Sequence, residues 1–136
     1  MRKLKETAEA VADNANGQIL ASVEIAAPPE RVFSTTEWRG DIRVGGRWRS
    51  AGIARGEAYA IEGEFLEIDP PRKLVITWQR MGAQEAPTTV DYALERIDGG
   101  TRITVRHWGF LSAEMCSNVA AGWKTAFEAL VQLLAA

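Results

Sequence analysis

Met115, Val119, Gly122, Trp123, Ala126, Phe127, Leu130, Leu133 and Leu134 recur at three- and four-residue steps near the C-terminus. That spacing draws one apolar stripe along an amphipathic helix of about five turns. Ser112 and Ser117 are both candidates to cap its start. A helix with a single apolar stripe gains little stability alone and must lie across a surface that buries the stripe. The rest of the chain therefore has to supply that surface.

It supplies strands. Ile19, Ala21, Val23 and Ile25 alternate with Leu20, Ser22 and Glu24, and Ala27-Pro28-Pro29-Glu30 ends the run. Proline is tolerated in a first helical turn, so Val32 and Phe33 mark a short helix with an apolar side. Residues 35–40 read as irregular, and Gly45-Gly46 breaks the chain before a strand through Arg47, Trp48, Arg49 and Ser50. A long strand follows over 57–68, with Tyr59, Ile61, Gly63 and Phe65 on one face. Its apolar phase then slips to Leu66 and Ile68, which predicts a bulge near Phe65. Asp69-Pro70-Pro71-Arg72 is a turn, Leu74, Ile76 and Trp78 line the next strand, and residues 81–87 form a loop. Val90, Tyr92 and Leu94 line another strand, joined through Asp98-Gly99-Gly100 to a partner lined by Ile103, Val105 and His107.

Residues 1–16 differ. They are rich in Ala, Glu and Lys, with Leu4, Ala8, Val11 and Ala12 at helical spacing, and Asp13-Asn14-Ala15-Asn16-Gly17 reads as a stop or linker. We read them as an N-terminal extension, a short helix or flexible tail, ahead of a domain over 17–136. The fold class expected is α+β: a curved antiparallel sheet wrapped around a long C-terminal helix, with large aromatics holding the two apart around a cavity.

Composition excludes several chemistries. The chain has 136 residues, enough for one domain with a real core, and its 46% apolar and 25% charged residues are ordinary for a globular protein. A net charge of −2 offers no global field for nucleic acid, and no apolar run approaches the length of a membrane span. One cysteine, Cys116, and one histidine, His107, exclude an internal disulfide, a thiolate-cluster metal site and a multi-histidine metal site. No cofactor is expected. The basic N-terminus lacks the apolar stretch of a secretion signal, so the cytoplasm is the default compartment.

Several stretches together resemble a known family: residues 23–33 (VEIAAPPERVF), 41–49 (DIRVGGRWR), 63–78 (GEFLEIDPPRKLVITW), 99–107 (GGTRITVRH) and the terminal helix with Gly122 and Trp123. In this order they resemble the bacterial proteins similar to the C-terminal domain of the activator of Hsp90 ATPase, within the START-like or helix-grip superfamily. The resemblance covers about residues 18–136. It implies a sheet gripping the C-terminal helix around a cavity, and it raises the expectation of a hydrophobic ligand. Eukaryotic relatives stimulate the Hsp90 chaperone, although no Hsp90-binding determinant is readable in this chain. One departure stands out. Relatives place a second short helix after the first, whereas only residues 34–40 separate Phe33 from Asp41 here. The cavity mouth on that side then needs another cover, either the N-terminal segment or a second subunit; we expect a homodimer with Trp38 at the contact.

Three readings of function follow. The first is non-catalytic binding of a small hydrophobic or amphipathic molecule in a cavity bordered by Trp48, Tyr59, Phe65, Trp78, Tyr92, His107, Trp123 and Phe127, all on inner faces. The second is a protein-interaction role like that of the Hsp90 activator. The third is a cyclase- or hydrolase-like enzyme using His107, for which no spacing marks a catalytic partner. Cys116 near the helix start reads as passive, Glu62 and Glu64 as a solvated face, and Arg31, Arg39, Arg43, Arg47, Arg49 and Arg55 as strand residues paired with nearby glutamates.

Overall fold

The computed structural model describes residues 4–35, 39–40, 42–54, 56–81 and 86–134. In chain order the elements are β1 (Glu9–Asp13), β2 (Gln18–Ile25), α1 (Pro29–Thr35), β3 (Arg39–Gly40), β4 (Arg47–Ala54), β5 (Glu57–Asp69), β6 (Lys73–Arg80), β7 (Thr88–Ile97), β8 (Gly100–Trp108) and α2 (Ala113–Leu134). The strands form one antiparallel sheet in the order β1-β2-β8-β7-β6-β5-β4-β3. This is the expected α+β helix-grip arrangement. Trp38, the residue expected at a subunit contact, lies outside the described residues.

Alternation in the sequence becomes aligned rows in the sheet. Ile19 pairs with His107, His107 with Val90, Val90 with Ile76, and Ile76 with Phe65. All five are 0% exposed. One strand position further, Ala21, Val105, Tyr92 and Leu74 form a second row on the same face. Because side chains alternate with period two, one such row fixes the inward face of every strand it crosses. Burying each large apolar member contributes roughly 1.5–3 kcal/mol.

The sheet bends at β5, near the expected bulge. Pairing with β6 lapses between Glu62–Gln79 and Phe65–Ile76, and its register shifts between Phe65 and Glu67. In the gap the Glu64 amide donates to the Thr77 hydroxyl at 2.8 Å, and the Trp48 indole donates to the Thr77 carbonyl at 2.9 Å. Gly63 makes this possible, since a Cβ there would sit 1.9 Å from the Thr77 oxygen. Trp48 and Phe65 are thereby folded into the core at 2% and 0% exposure.

The helix lies along β1 and β2. Ser112 caps it, its hydroxyl accepting from the Met115 amide at 3.2 Å; Ser117 sits inside the helix and bonds the Asn14 side chain. Cys116, Ala120, Phe127 and Leu134 are buried along the stripe, while Gly122, Ala126 and Leu133 face outward.

The N-terminal segment departs from expectation. Residues 9–13 are neither helix nor tail but strand β1, paired with β2 from Glu9–Ser22 to Asp13–Gln18. Asp13 to Gly17 is the hairpin turn, with Gly17 at φ 61°. Local helix preference loses to backbone pairing and to burial of Ala8, Ala10 and Ala12 on the core side. Val11, placed on the helical stripe, is 63% exposed. The segment is held at its start by Glu24. Its amide donates to the Lys5 carbonyl (2.9 Å), its carboxylate accepts from the Lys5 amide (2.8 Å), and Arg102 donates to its second oxygen (3.0 Å).

Replacing Glu24 with Ala should therefore leave the Lys5 amide without its acceptor, with the backbone bond to the Lys5 carbonyl kept, and remove one of the two carboxylates that Arg102 bonds. Urea unfolding is expected to show a loss of about 1–3 kcal/mol. Amide exchange at Lys5 should accelerate well beyond that at Ala12.

Candidate functional site

The space expected as a cavity beside His107 is filled with rings. Trp78 meets His107 edge-on at 5.2 Å between centroids, and Phe110 lies 4.6 Å from the same imidazole. From α2, Trp123 packs at 6.0 Å from His107, 5.5 Å from Tyr92 and 5.6 Å from Phe127. Edge-to-face aromatic pairs of this kind add about 0.5–1.5 kcal/mol each beyond their burial.

His107 is the polar centre of that cluster, and its hydrogen bonds fix its state. The Trp123 indole can only donate, and it points at Nδ1 at 3.1 Å. Nδ1 therefore carries no proton, and the neutral ring holds its proton on Nε2. Nε2 donates to the Thr88 hydroxyl at 2.6 Å, which donates onward to the Trp78 carbonyl at 3.1 Å. Burial lowers the imidazole pKa from 6.5 to about 3. Protonating Nδ1 would set two N–H groups against each other. Neither of its two bonds is to a carboxylate, so the arrangement that would favour acid–base chemistry at His107 is not the one formed.

The open space lies further along the interface. A cavity of about 40 Å³ is walled by Val32 and Phe33 of α1, Leu74 of β6, Tyr92 and Leu94 of β7, Ile103 of β8, and Phe127 and Leu130 of α2. The wall is apolar except for the Tyr92 phenol, whose pKa burial raises above its ordinary value, so the phenol stays protonated. Such a volume holds a very few water-sized bodies and is well below the ~300–1,000 Å³ of small-molecule sites.

Of the residues expected to border a cavity, Tyr92 and Phe127 do so. Trp48, Phe65, Trp78, His107 and Trp123 belong to the packed core instead. Tyr59 lies out on β5, 42% exposed, its hydroxyl against Gly52. Val32, Phe33, Leu74, Leu94, Ile103 and Leu130 were assigned inward faces but no site. The missing signal is the position of α1, because Val32 and Phe33 mark the end of the interface where the open space lies.

Other candidates have structural roles. Cys116 is fully buried, its thiol donating to the Gln18 carbonyl at 3.5 Å; burial and then the Asp13 charge push its pKa up, away from reactivity. Arg47 pairs with Glu62 across β4 and β5 at 2.9 Å.

His107 predicts a pH signature. Its folded pKa lies below its unfolded one, so the unfolded chain binds the extra proton first, and stability present above pH 6.5 is lost as pH falls toward 3. The slope from this residue is about 1.4 kcal/mol per pH unit. Urea unfolding between pH 6 and 4.5 should show that slope in the wild type and lose it in His107→Gln, whose amide can keep both bonds.

The chain was compared with known proteins. The family described as "Activator of Hsp90 ATPase homolog 1-like protein" matches residues 26–135. No curated protein matches. Among solved structures, CalU16 from Micromonospora echinospora is 23% identical with a TM-score of 0.67, covering 91% of this chain and 85% of that one. Protein Ms6760 from Mycobacterium smegmatis is 21% identical with a TM-score of 0.73, covering 90% and 95%. Protein CV1439 from Chromobacterium violaceum is 22% identical with a TM-score of 0.74, covering 87% and 97%. At these identities the structures share the fold, and among the described residues no helix is long and apolar enough to cross a membrane. With the family matched over most of its length and the sheet, helix and order of elements in place, this chain belongs to the Activator of Hsp90 ATPase homolog 1-like family.

Proposed function

We propose that the protein binds a small, uncharged, apolar molecule between α1, α2 and strands β6 to β8, without chemistry upon it. The observation that carries this reading is the cavity wall: seven apolar side chains and one protonated phenol. Apolar walls with a single polar group are what small-molecule sites present, the polar group fixing one end of the ligand. Among the described residues the wall contains no cation. A carboxylate drawn inside would be desolvated without a partner, which costs several kcal/mol, so the occupant is uncharged. The helix-grip superfamily also contains ligand carriers, which supports the same reading.

Neutral N-phenyl-1-naphthylamine, whose fluorescence rises in apolar surroundings, tests it. Wild type should bind at micromolar concentration, and 1-decanol should displace the probe at least tenfold more effectively than decanoate at pH 8. Ile103→Phe and Leu130→Phe fill the cavity and should each weaken binding about tenfold or more, a change of 1.4 kcal/mol. Circular dichroism checks that each variant folds, since overpacking costs typically 1–3 kcal/mol. No binding by wild type, or unchanged binding by both variants, overturns the proposal.

A further inference from the structure

We propose that α1 is the movable wall of this cavity: a two-turn lid that swings off β7 and β8 to admit the ligand. The inference rests on the apolar-ligand reading above. A cavity of about 40 Å³ cannot take a molecule of probe size unless one wall moves. Three walls are available.

The strand wall is fixed. Leu74, Leu94 and Ile103 stand on β6, β7 and β8, each hydrogen-bonded to a neighbour on both sides. Moving any of them breaks two ladders. The α2 wall is 22 residues long, buried through Cys116, Ala120, Phe127 and Leu134, and tied to the sheet by the Trp123–His107 bond.

The third wall is light. α1 has seven residues and presents Val32 and Phe33 to the cavity. Beside the burial of Val32, its polar contacts include a fixed point and a clasp. The fixed point is Ala27, whose carbonyl accepts from the fully buried Thr101 hydroxyl at 2.6 Å. The clasp is Arg96 of β7 donating to Glu30 of α1 at 2.6 Å, with both side chains about 60% exposed (62% and 59%). An ion pair so exposed is weak and is screened by salt. On the far side of the hinge, Ala26, Ala27 and Pro28 border a solvent-open cleft of about 310 Å³ with Arg96 and the β7–β8 turn, leaving room for rotation among the described residues. α1 buries Val32 at 2% exposure, so a two-turn segment with an exposed latch opens at the loss of that contact and the packing of Phe33.

Stopped-flow mixing with N-phenyl-1-naphthylamine reads the lid. The observed rate should level off as probe concentration rises, because opening becomes limiting. Glu30→Gln and Arg96→Gln should each raise that ceiling roughly 1.5- to 5-fold, the range expected for an exposed pair. Sodium chloride at 0.5 M should raise it in the wild type and leave the two variants unchanged. Without any probe, amides of Val32 and Phe33 should exchange at least 100-fold faster than those of Val105 and Ala120. If the ceiling is the same in wild type and both variants, or the α1 amides are as protected as Val105, the lid is wrong even when Ile103→Phe still abolishes binding. If Ile103→Phe and Leu130→Phe leave binding untouched, the site itself is wrong and the lid falls with it.

Discussion

A neutral imidazole sits where the fold can least tolerate a charge. His107 is the second member of a five-residue row running from Ile19 to Phe65, every one of them 0% exposed. Burying a polar ring there is affordable only if both nitrogens are bonded. That requirement reaches in two directions. Nδ1 needs a donor from the layer above the sheet, which Trp123 provides from α2. Nε2 needs an acceptor from a neighbouring strand, which Thr88 provides from β7. One residue thus fixes the rotation of the helix about its axis and the register of the β6–β7–β8 sheet beneath it. Buried polar networks are known to specify unique packing more than they raise stability, and this one specifies a helix orientation.

The place of the cavity follows from that constraint. Because Trp123 must reach His107, its ring and those of Trp78, Phe110 and Tyr92 crowd one end of the helix–sheet interface. Flat rings meeting edge to face fill that end. Four residues along α2, Phe127 starts the other end, where Leu130, Leu94 and Ile103 are smaller and α1 is too short to cover them fully. The void lies where the ring cluster around His107 ends and a mixed wall of Phe33, Tyr92, Phe127 and five aliphatic side chains takes over. His107 and the open space are therefore separated: His107 bonds the helix through Trp123, and the space lies a turn away along α2, where Tyr92 is the one polar side chain of the wall among the described residues.

Much of this was legible. The faces of β2, β5, β6, β7 and β8 follow from alternation, and the bulge follows from the phase slip after Phe65, because period-two patterning leaves one choice of inward face. β1 was not legible as a strand. Its core-facing residues are Ala10 and Ala12, with Ala8 just before it, too small to stand out against Leu4 and Val11, and alanine favours helix when nothing is known of a partner. What makes it a strand is long-range: the β2 edge and the Glu24 carboxylate nineteen residues away from Lys5. Of the residues expected around a cavity, Tyr92 and Phe127 line this one, and the limit on reading the others is related. Inner-face membership is a property of one strand, whereas lining a void depends on which helix residue stands opposite, and that was set by the single Trp123–His107 bond.

The aromatic cluster and the open space thus lie at opposite ends of one interface. The ring-filled end joins two fully paired strands to a 22-residue helix, and loosening it costs the fold. The α1 end closes with seven residues, two apolar side chains and a solvent-exposed ion pair. Val32, Phe33, Leu94 and Leu130 line the void, and none of them belongs to the Ile19–Phe65 row or bonds His107. The two ends are not independent, because residues that line the void, Val32, Leu74, Ile103 and Phe127 among them, are themselves buried in the core that holds sheet and helix together.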